Sequence, residues 1–314
     1  MTESPTVVFV NFLCADQIEP KAQKLVDGGR AVVVVDNSGE YEGPGTVVRS
    51  GANVGFGPAC NRGVDAVDTA MFCLHNPDVA LDVELIDQLG TTVERQGRGL
   101  AAPALQTPGG IIRNGYGYPS IIRQMKTITA LLARRGSRPS KVASPSVRED
   151  PNQPGLYQRM RSLGSKRFAS AALLVGDVTT FASIGGFDHR FVLYGEDLDL
   201  WHRYSLAGSP GTFRNDLMAR HQRGGGSPTT RPVRELLRWA GVETFTQIHG
   251  RPDAWVPYRL LHRTALARVG GGGDVASLLS DLWLAGRDPL TVAAELRVAF
   301  EAGLMKSESG DTDD

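Results

Sequence analysis

Charge of one sign is missing from this sequence. Its 34 Lys and Arg balance 34 Asp and Glu, a net charge of zero. Bulk electrostatics therefore gives no reason to expect a nucleic-acid partner. Cysteine is scarce as well. Cys14, Cys60 and Cys73 are odd in number and lack metal-type spacing, which argues against a disulfide framework and for reduced thiols in a cytosolic protein. No apolar run approaches the ~18 residues of a membrane span. Thr6 to Leu13 is too short for a signal-peptide core. The expected location is cytoplasmic, with any membrane contact peripheral, at the inner face of the cell membrane. The six histidines show no H-x-x-x-H spacing, so no zinc site is expected.

What is present is an ordinary globular composition, 41% hydrophobic and 22% charged, in a chain long enough to bury a large core. The zero charge also hides an asymmetry. Between Ile111 and Ser170 twelve Arg or Lys stand against two acids, Glu149 and Asp150, a local balance of +10. Such a segment suits an anionic partner, a diphosphate or an anionic membrane surface, and suits a solvated arginine-rich insertion equally well.

In the first hundred residues, short β-branched runs ("TVVFVNFL", "AVVVVD", "TAMFCLHN") alternate with helical stretches at Gln17 to Asp27, Pro58 to Val67 and Asp82 to Leu89. Continuous apolar strands separated by helices indicate an α/β protein with a parallel sheet covered on both faces. Ligands in such sheets bind beyond the carboxyl ends of the strands, which directs attention to Asn11, Asp36 and the segment His75 to Asp78. "FASAALLVG" resumes the core as a strand, followed by short helix Asp177 to Ser183 and helix Glu196 to Ala207. Beyond "HQRGGGSPTT" the pattern is helical. The expected organisation is a catalytic domain over 1–227 carrying a basic insertion at about 111–168, a helical C-terminal region over 228–305 and a disordered acidic tail over 306–314.

Asp36 ends "VVVVDNSG", where it can accept hydrogen bonds from a ribose or base edge or close an Asx-type turn with Ser38 or Gly39. "GANVGFGPACNRG" has the form G-x-G-x5-G and follows Asp36, so it is not the G-x-G-x-x-G fingerprint of a nicotinamide dehydrogenase. It does place backbone N–H groups and the amides of Asn53 and Asn61 near a helix start, which favours anions. In "CLHNPDV", Pro77 stiffens the loop and Asp78 can either bind a hard divalent cation gripping a diphosphate or, like Asp82, cap the next helix. "GGFDHRFVLYGEDLDLWHRYSLAG" crowds Glu196 and Asp197 beside an apolar run. Both fit the first turn of a helix, and both fit a base held beside water-excluding walls. Asp199 and Arg203 are spaced to pair along that helix. His221, in "HQRGGGS", is either an ordinary packed histidine or a ligand.

Taken in order, these segments resemble glycosyltransferase family 2, inverting enzymes of the GT-A fold, and within it the bacterial rhamnosyltransferase-like branch. The resemblance spans roughly Thr6 to Ser227, and "GGFD…YGEDLDL" is its most specific part. It implies a mixed, mostly parallel sheet with helices on both faces and a C-terminal helical extension. It further implies that Asp197 is the catalytic base with Glu196 beside it. Asn11, Asp36, Asn53, Gly55, Asn61 and Asn76 would line the nucleotide-sugar site. Asp78 and His221 would hold magnesium or manganese. Asn76 stands where the family's D-x-D motif has its first acid, which weakens the expected metal binding. The implied reaction moves a sugar, such as rhamnose from dTDP-L-rhamnose, from a nucleoside diphosphate to a hydroxyl of a glycan or polyprenyl-linked acceptor of the cell envelope. A sugar-nucleotide nucleotidyltransferase could share this site but wants a glycine-rich loop after the first strand, and "NFLCADQIEPK" has none. A non-catalytic nucleotide-sugar binder would not need both Asp78 and Asp197.

Overall fold

The computed structural model describes residues 3–108, 110–112, 116–117, 167–191, 193–209 and 211–222, together with 241, 244–245 and 248–249. In chain order the elements are β1 (Thr6–Asn11), α1 (Ala15–Asp27), β2 (Val32–Asp36), β3 (Thr46–Arg49), α2 (Phe56–Asp65), β4 (Met71–His75), α3 (Val83–Arg95), β5 (Leu100–Thr107), β6 (Gly110–Ile112), β7 (Tyr116–Gly117), β8 (Arg167–Phe168), β9 (Leu173–Asp177), α4 (Val178–Ser183), α5 (Glu196–Leu206) and β10 (Gly211–Arg220).

Seven strands lie in the order β10-β5-β9-β4-β1-β2-β3, with β6 paired to β5. The pairs β1–β2, β1–β4, β2–β3 and β5–β10 are parallel. Strand β9 runs antiparallel to both β4 and β5, and β6 is antiparallel to β5. This is the mixed, mostly parallel α/β sheet expected from the sequence. The period-two alternation of strands sends side chains to two separate cores. Val7, Phe9, Val32, Val34 and Cys73 meet Ile18, Leu25, Ile86 and Leu89 from α1 and α3 on one face. Val8, Val33, Val35, Phe72 and Leu74 meet Cys60, Val64, Phe181, Trp201 and Tyr204 from α2, α4 and α5 on the other. Burying each such side chain contributes roughly 1.5–3 kcal/mol. Helices therefore cover both faces, as the sequence implied.

Several boundaries differ from the sequence reading. Helix α2 starts at Phe56, two residues before Pro58, because Gly55 (φ 86°) turns the chain directly into it. Helix α3 runs on to Arg95 because Leu89 and Val93 continue its apolar stripe. Strand β9 begins only at Leu173, since Ala171 and Ala172 form the approach to it. Most of the basic insertion expected at 111–168, most of the helical region expected at 228–305 and the whole tail expected at 306–314 lie outside the described residues. Among the described residues no helix is long and apolar enough to cross a membrane.

The orientation of β9 matters for the site. The carboxyl ends of β1, β2, β4, β5 and β10 share one edge of the sheet. Since β9 runs the other way, it contributes its beginning to that edge. The segment Ala171–Ala172 thus lies beside the loop that follows β4.

Candidate active site

Asp36 closes β2 and is almost fully enclosed. Its Oδ1 accepts from the Asn11 side chain (2.9 Å), the Ser38 backbone N–H and hydroxyl (each 3.2 Å) and the Gly39 N–H (3.0 Å). Its Oδ2 accepts from the Tyr41 N–H (3.2 Å) and Arg49 (3.0 Å). Burial pushes this carboxyl up, but the donors from Asn11, Tyr41, Ser38 and Gly39 together outweigh it and hold it below the ordinary Asp value. The Asx-type turn that the sequence allowed is therefore present. Asn11 is equally engaged: its amide also donates to Ser38 Oγ (3.0 Å), and its Oδ1 accepts from the Cys14 N–H (3.2 Å) at the start of α1. Together the two residues organise the loops at this end of β1 and β2.

The next two amides are arranged differently. Asn53 Oδ1 accepts from the Gly55 N–H (3.1 Å) and the Asn37 side chain (3.4 Å). Asn37 Oδ1 and Asn53 Nδ2 are buried without a hydrogen-bond partner. An unsatisfied buried donor and acceptor cost about 1–3 kcal/mol each, so this neighbouring pair is poised for a polar ligand. Sequence reasoning named Asn53 and Gly55 but missed Asn37, whose only signal was its place directly after Asp36.

Both amide atoms of Asn61 are engaged within the protein. Its Nδ2 donates to the Phe187 carbonyl (2.9 Å) and its Oδ1 accepts from the Phe187 N–H (2.7 Å). This two-point clamp ties α2 to Gly185-Gly186-Phe187, whose glycines have φ of 80° and 63°. A Cβ on Gly186 would stand 2.5 Å from Asn61 Oδ1. The following Asp188 folds back on Arg190, accepting from its backbone N–H (2.9 Å) and guanidinium.

On the other side, Asn76 donates its backbone N–H to the Ala172 carbonyl (2.8 Å). The capping role left open for Asp78 or Asp82 belongs to Asp82, which accepts from the Leu85 N–H (3.1 Å). Asp78 instead meets His221: Asp78 Oδ1 lies 3.2 Å from His221 Nε2. Their backbones are joined too, through the bridge Val79–His221 and the Gln222 N–H to the Asp78 carbonyl (2.9 Å). The two residues that the resemblance paired as metal ligands, 143 positions apart in sequence, are in contact. Lys21, missed in the sequence, braces this loop from α1 by donating to the Pro77 carbonyl (2.5 Å). Among the described residues no group of three or more His, Cys, Asp or Glu could hold a metal. A carboxylate plus an imidazole still suits a cation that takes its remaining ligands from phosphate oxygens and water.

The acid pair opens α5. Tyr194 (φ 68°) and Gly195 (φ 91°) turn the chain so that Glu196 and Asp197 fall in the first helical turn, where the dipole favours negative charge. Glu196 is buried beneath α2: a Cβ on Gly57 would lie 3.1 Å from Phe187 and 3.9 Å from Glu196. Glu196 Oε2 has no partner. Burial, and then the charge of Asp197, push the Glu196 carboxyl up to about 8. Asp197 is partly exposed and accepts from the Leu198 N–H (2.8 Å). Burial raises its carboxyl to about 6, against the opposing effect of backbone N–H groups of Leu198 and Ala171. Adjacent acids are thus separated into a proton-bearing Glu196 and an Asp197 that is ionised at neutral pH yet basic, the condition for an effective general base. The Ala171 N–H donates to Asp197, and the Ala172 carbonyl accepts from the Asn76 N–H that opens the Asn76-Pro77-Asp78 loop. The acid pair and the loop that carries Asp78 are therefore joined through one short segment at one edge of the sheet.

No family model matches the chain. Two curated proteins, both N-acetylglucosaminyl-diphospho-decaprenol L-rhamnosyltransferases of Mycobacterium tuberculosis (strains CDC 1551 / Oshkosh and H37Rv), are 33% identical over 175 residues, 51% of this chain and 52% of each relative. Over that stretch the chain is similar to these two rhamnosyltransferases. It spans about half the length of the curated relatives it matches. A solved structure of glucosyl-3-phosphoglycerate synthase from Mycobacterium tuberculosis, in complex with Mn2+, uridine diphosphate and glucosyl-3-phosphoglycerate, aligns with a TM-score of 0.44 at 15% identity, covering 79% of this chain and 81% of that one.

Proposed function

We propose that this protein is an inverting glycosyltransferase that moves a sugar from a nucleoside-diphosphate donor, dTDP-L-rhamnose among the candidates, to a hydroxyl of a lipid-linked glycan. The observation that supports the reading is that Asp197 and the loop bearing Asp78 both contact the short strip Ala171–Ala172. A base and an anion-handling pair gathered at one end of the sheet suit the two sides of a single displacement at one bound sugar. The similarity to decaprenol-linked rhamnosyltransferases supports the donor and acceptor classes.

Asp197, ionised at neutral pH, takes the proton from the acceptor hydroxyl as its oxygen attacks the anomeric carbon. The bond to the diphosphate breaks on the opposite face, through an oxocarbenium-like transition state, so configuration inverts. Glu196 keeps its proton, which leaves Asp197 as the charged member of the pair. The unpaired amide atoms of Asn37 and Asn53 hold the nucleotide, and Asp36 and Asn11 keep that loop in shape. Asp78 and His221 would hold a divalent cation, manganese or magnesium, whose Lewis acidity stabilises charge on the departing diphosphate. Peripheral contact with an anionic membrane, through the basic segment, belongs to the same reading.

The test is release of nucleoside diphosphate from a panel of dTDP-, UDP- and GDP-sugars, with and without manganese. One donor class turning over well above the others is expected. No release from any member, in an enzyme that still binds nucleotide by calorimetry, would reduce the protein to a binder.

A further inference from the structure

The described residues Gly241, Thr244, Phe245, Ile248 and His249 are all helical and fall at the i, i+3, i+4, i+7, i+8 spacing of one helical face. That face lies against α5 and the turn before it. Phe245 joins Phe191 and Leu198 in a small apolar cluster, with Phe168 and Ile248 against it. Gly241 touches the turn itself: a Cβ there would collide with the Tyr194 carbonyl, and one on Gly195 would lie 2.8 Å from Gly241. The touched residues are Tyr194, a rare non-glycine residue at positive φ, and Gly195. Eight residues on, His249 Nε2 stands 2.6 Å from Asp199 Oδ1. Asp199 is fully buried, its other oxygen accepts from Arg203 Nε (2.7 Å), and Arg203 Nη1 donates to the Ile184 carbonyl (2.8 Å). The His249 ring also packs on His202 (4.5 Å) and Phe245 (4.9 Å).

Two residues apart on a helix, Asp197 and Asp199 point in nearly opposite directions. From this we infer that His249 is a positioning residue for Asp197: it grips the hidden acid of the first turn of α5 while Gly241 backs the strained turn, so that the exposed acid is aimed into the site. The inference deepens the glycosyltransferase reading and rests on it for its catalytic consequence.

The test compares His249→Phe, which keeps a ring against His202 and Phe245 but loses the donor, with His249→Gln, which keeps a donor. Turnover is read as nucleoside diphosphate released from the sugar nucleotide that the wild type uses. His249→Phe is expected to lower kcat about tenfold, the scale of a slight misplacement of a reacting group, with the donor KM unchanged, and His249→Gln to recover most of it. Hydrogen exchange at the Asp199 amide, which donates to the Gly195 carbonyl (3.0 Å), is expected to speed up in His249→Phe and return in His249→Gln. Unchanged kcat in His249→Phe overturns the inference, as does an equal fall in both variants accompanied by raised KM. A wild type that turns over no sugar nucleotide refutes the glycosyltransferase reading instead. The exchange arm then decides alone, and unchanged protection in His249→Phe overturns the positioning role.

Discussion

Replacing Glu196 with Gln tests whether the acid pair divides its protons as the structure indicates. Glu196 is buried, Oε2 lacks a partner, and its carboxyl rises from 4.5 to about 8. In the unfolded chain the same group ionises near the ordinary value. Between those two points the folded state holds a proton that the unfolded state has released, so stability falls as pH rises. Each unit corresponds to about 1.4 kcal/mol. The loss from this group is absent below pH 4.5, amounts to about 3 kcal/mol at pH 7, and is complete above pH 8. Gln is neutral throughout and carries no such slope. Asp197 contributes a similar fall between 3.8 and about 6, but both proteins share it. The variant should therefore match the wild type near pH 4 and gain on it steadily up to pH 8. Urea unfolding followed by tryptophan fluorescence, with Trp201 buried as a reporter, measures this directly. A stability difference that stays constant from pH 5 to 8 would refute the argument that Glu196 folds with its proton. Because the charge of Asp197 helps hold the Glu196 carboxyl up, adding Asp197→Asn should move the upper end of the effect to lower pH and leave its onset in place.

Asp197→Asn should lower kcat ~10²–10⁴-fold with donor affinity retained, and wild-type kcat should rise with pH through about 6; near-normal turnover in the variant removes Asp197 from the role. Asp78→Ala should weaken nucleoside diphosphate binding in manganese but much less in chelator, as read by calorimetry, and equal affinity in both counts against the Asp78–His221 site. Gly63→Ala should destabilise the fold by about 1–3 kcal/mol, because the added methyl would collide with Val8 and stand 2.9 Å from Val35. A thermal midpoint equal to wild type would show that α2 can shift away from the sheet freely.

Strands β1, β2 and β4 were legible because strands buried on both faces read as unbroken apolar runs. Strand β3 was not: it has four residues at the sheet edge, none fully buried. Strand β10 reads "GTFRNDLMAR", polar and mostly exposed, with a break in register between Arg214 and Met218. The direction of β9 could not be read at all, since its apolar run is the same in either sense and only its partners fix it. At the site, local spacing identified Glu196 and Asp197 in a first turn and the Asp199–Arg203 pair. Asn61 carried a glycine-rich motif that suggested a nucleotide contact, yet its amide clamps Phe187, 126 positions away. His249 had no local signal, because its partner lies 50 positions earlier. Contacts of that range belong to the fold and leave no periodicity behind.

The two-residue ladder β7–β8 pairs Tyr116 with Phe168 and Gly117 with Arg167. It fastens together the two ends of everything between them, and Phe168 packs beside the start of α5. Positions 117 and 167, far apart in sequence, are thereby held together beside the opening of the acid-bearing helix, so the aim of that first turn is tied to chain that no local pattern connects with it.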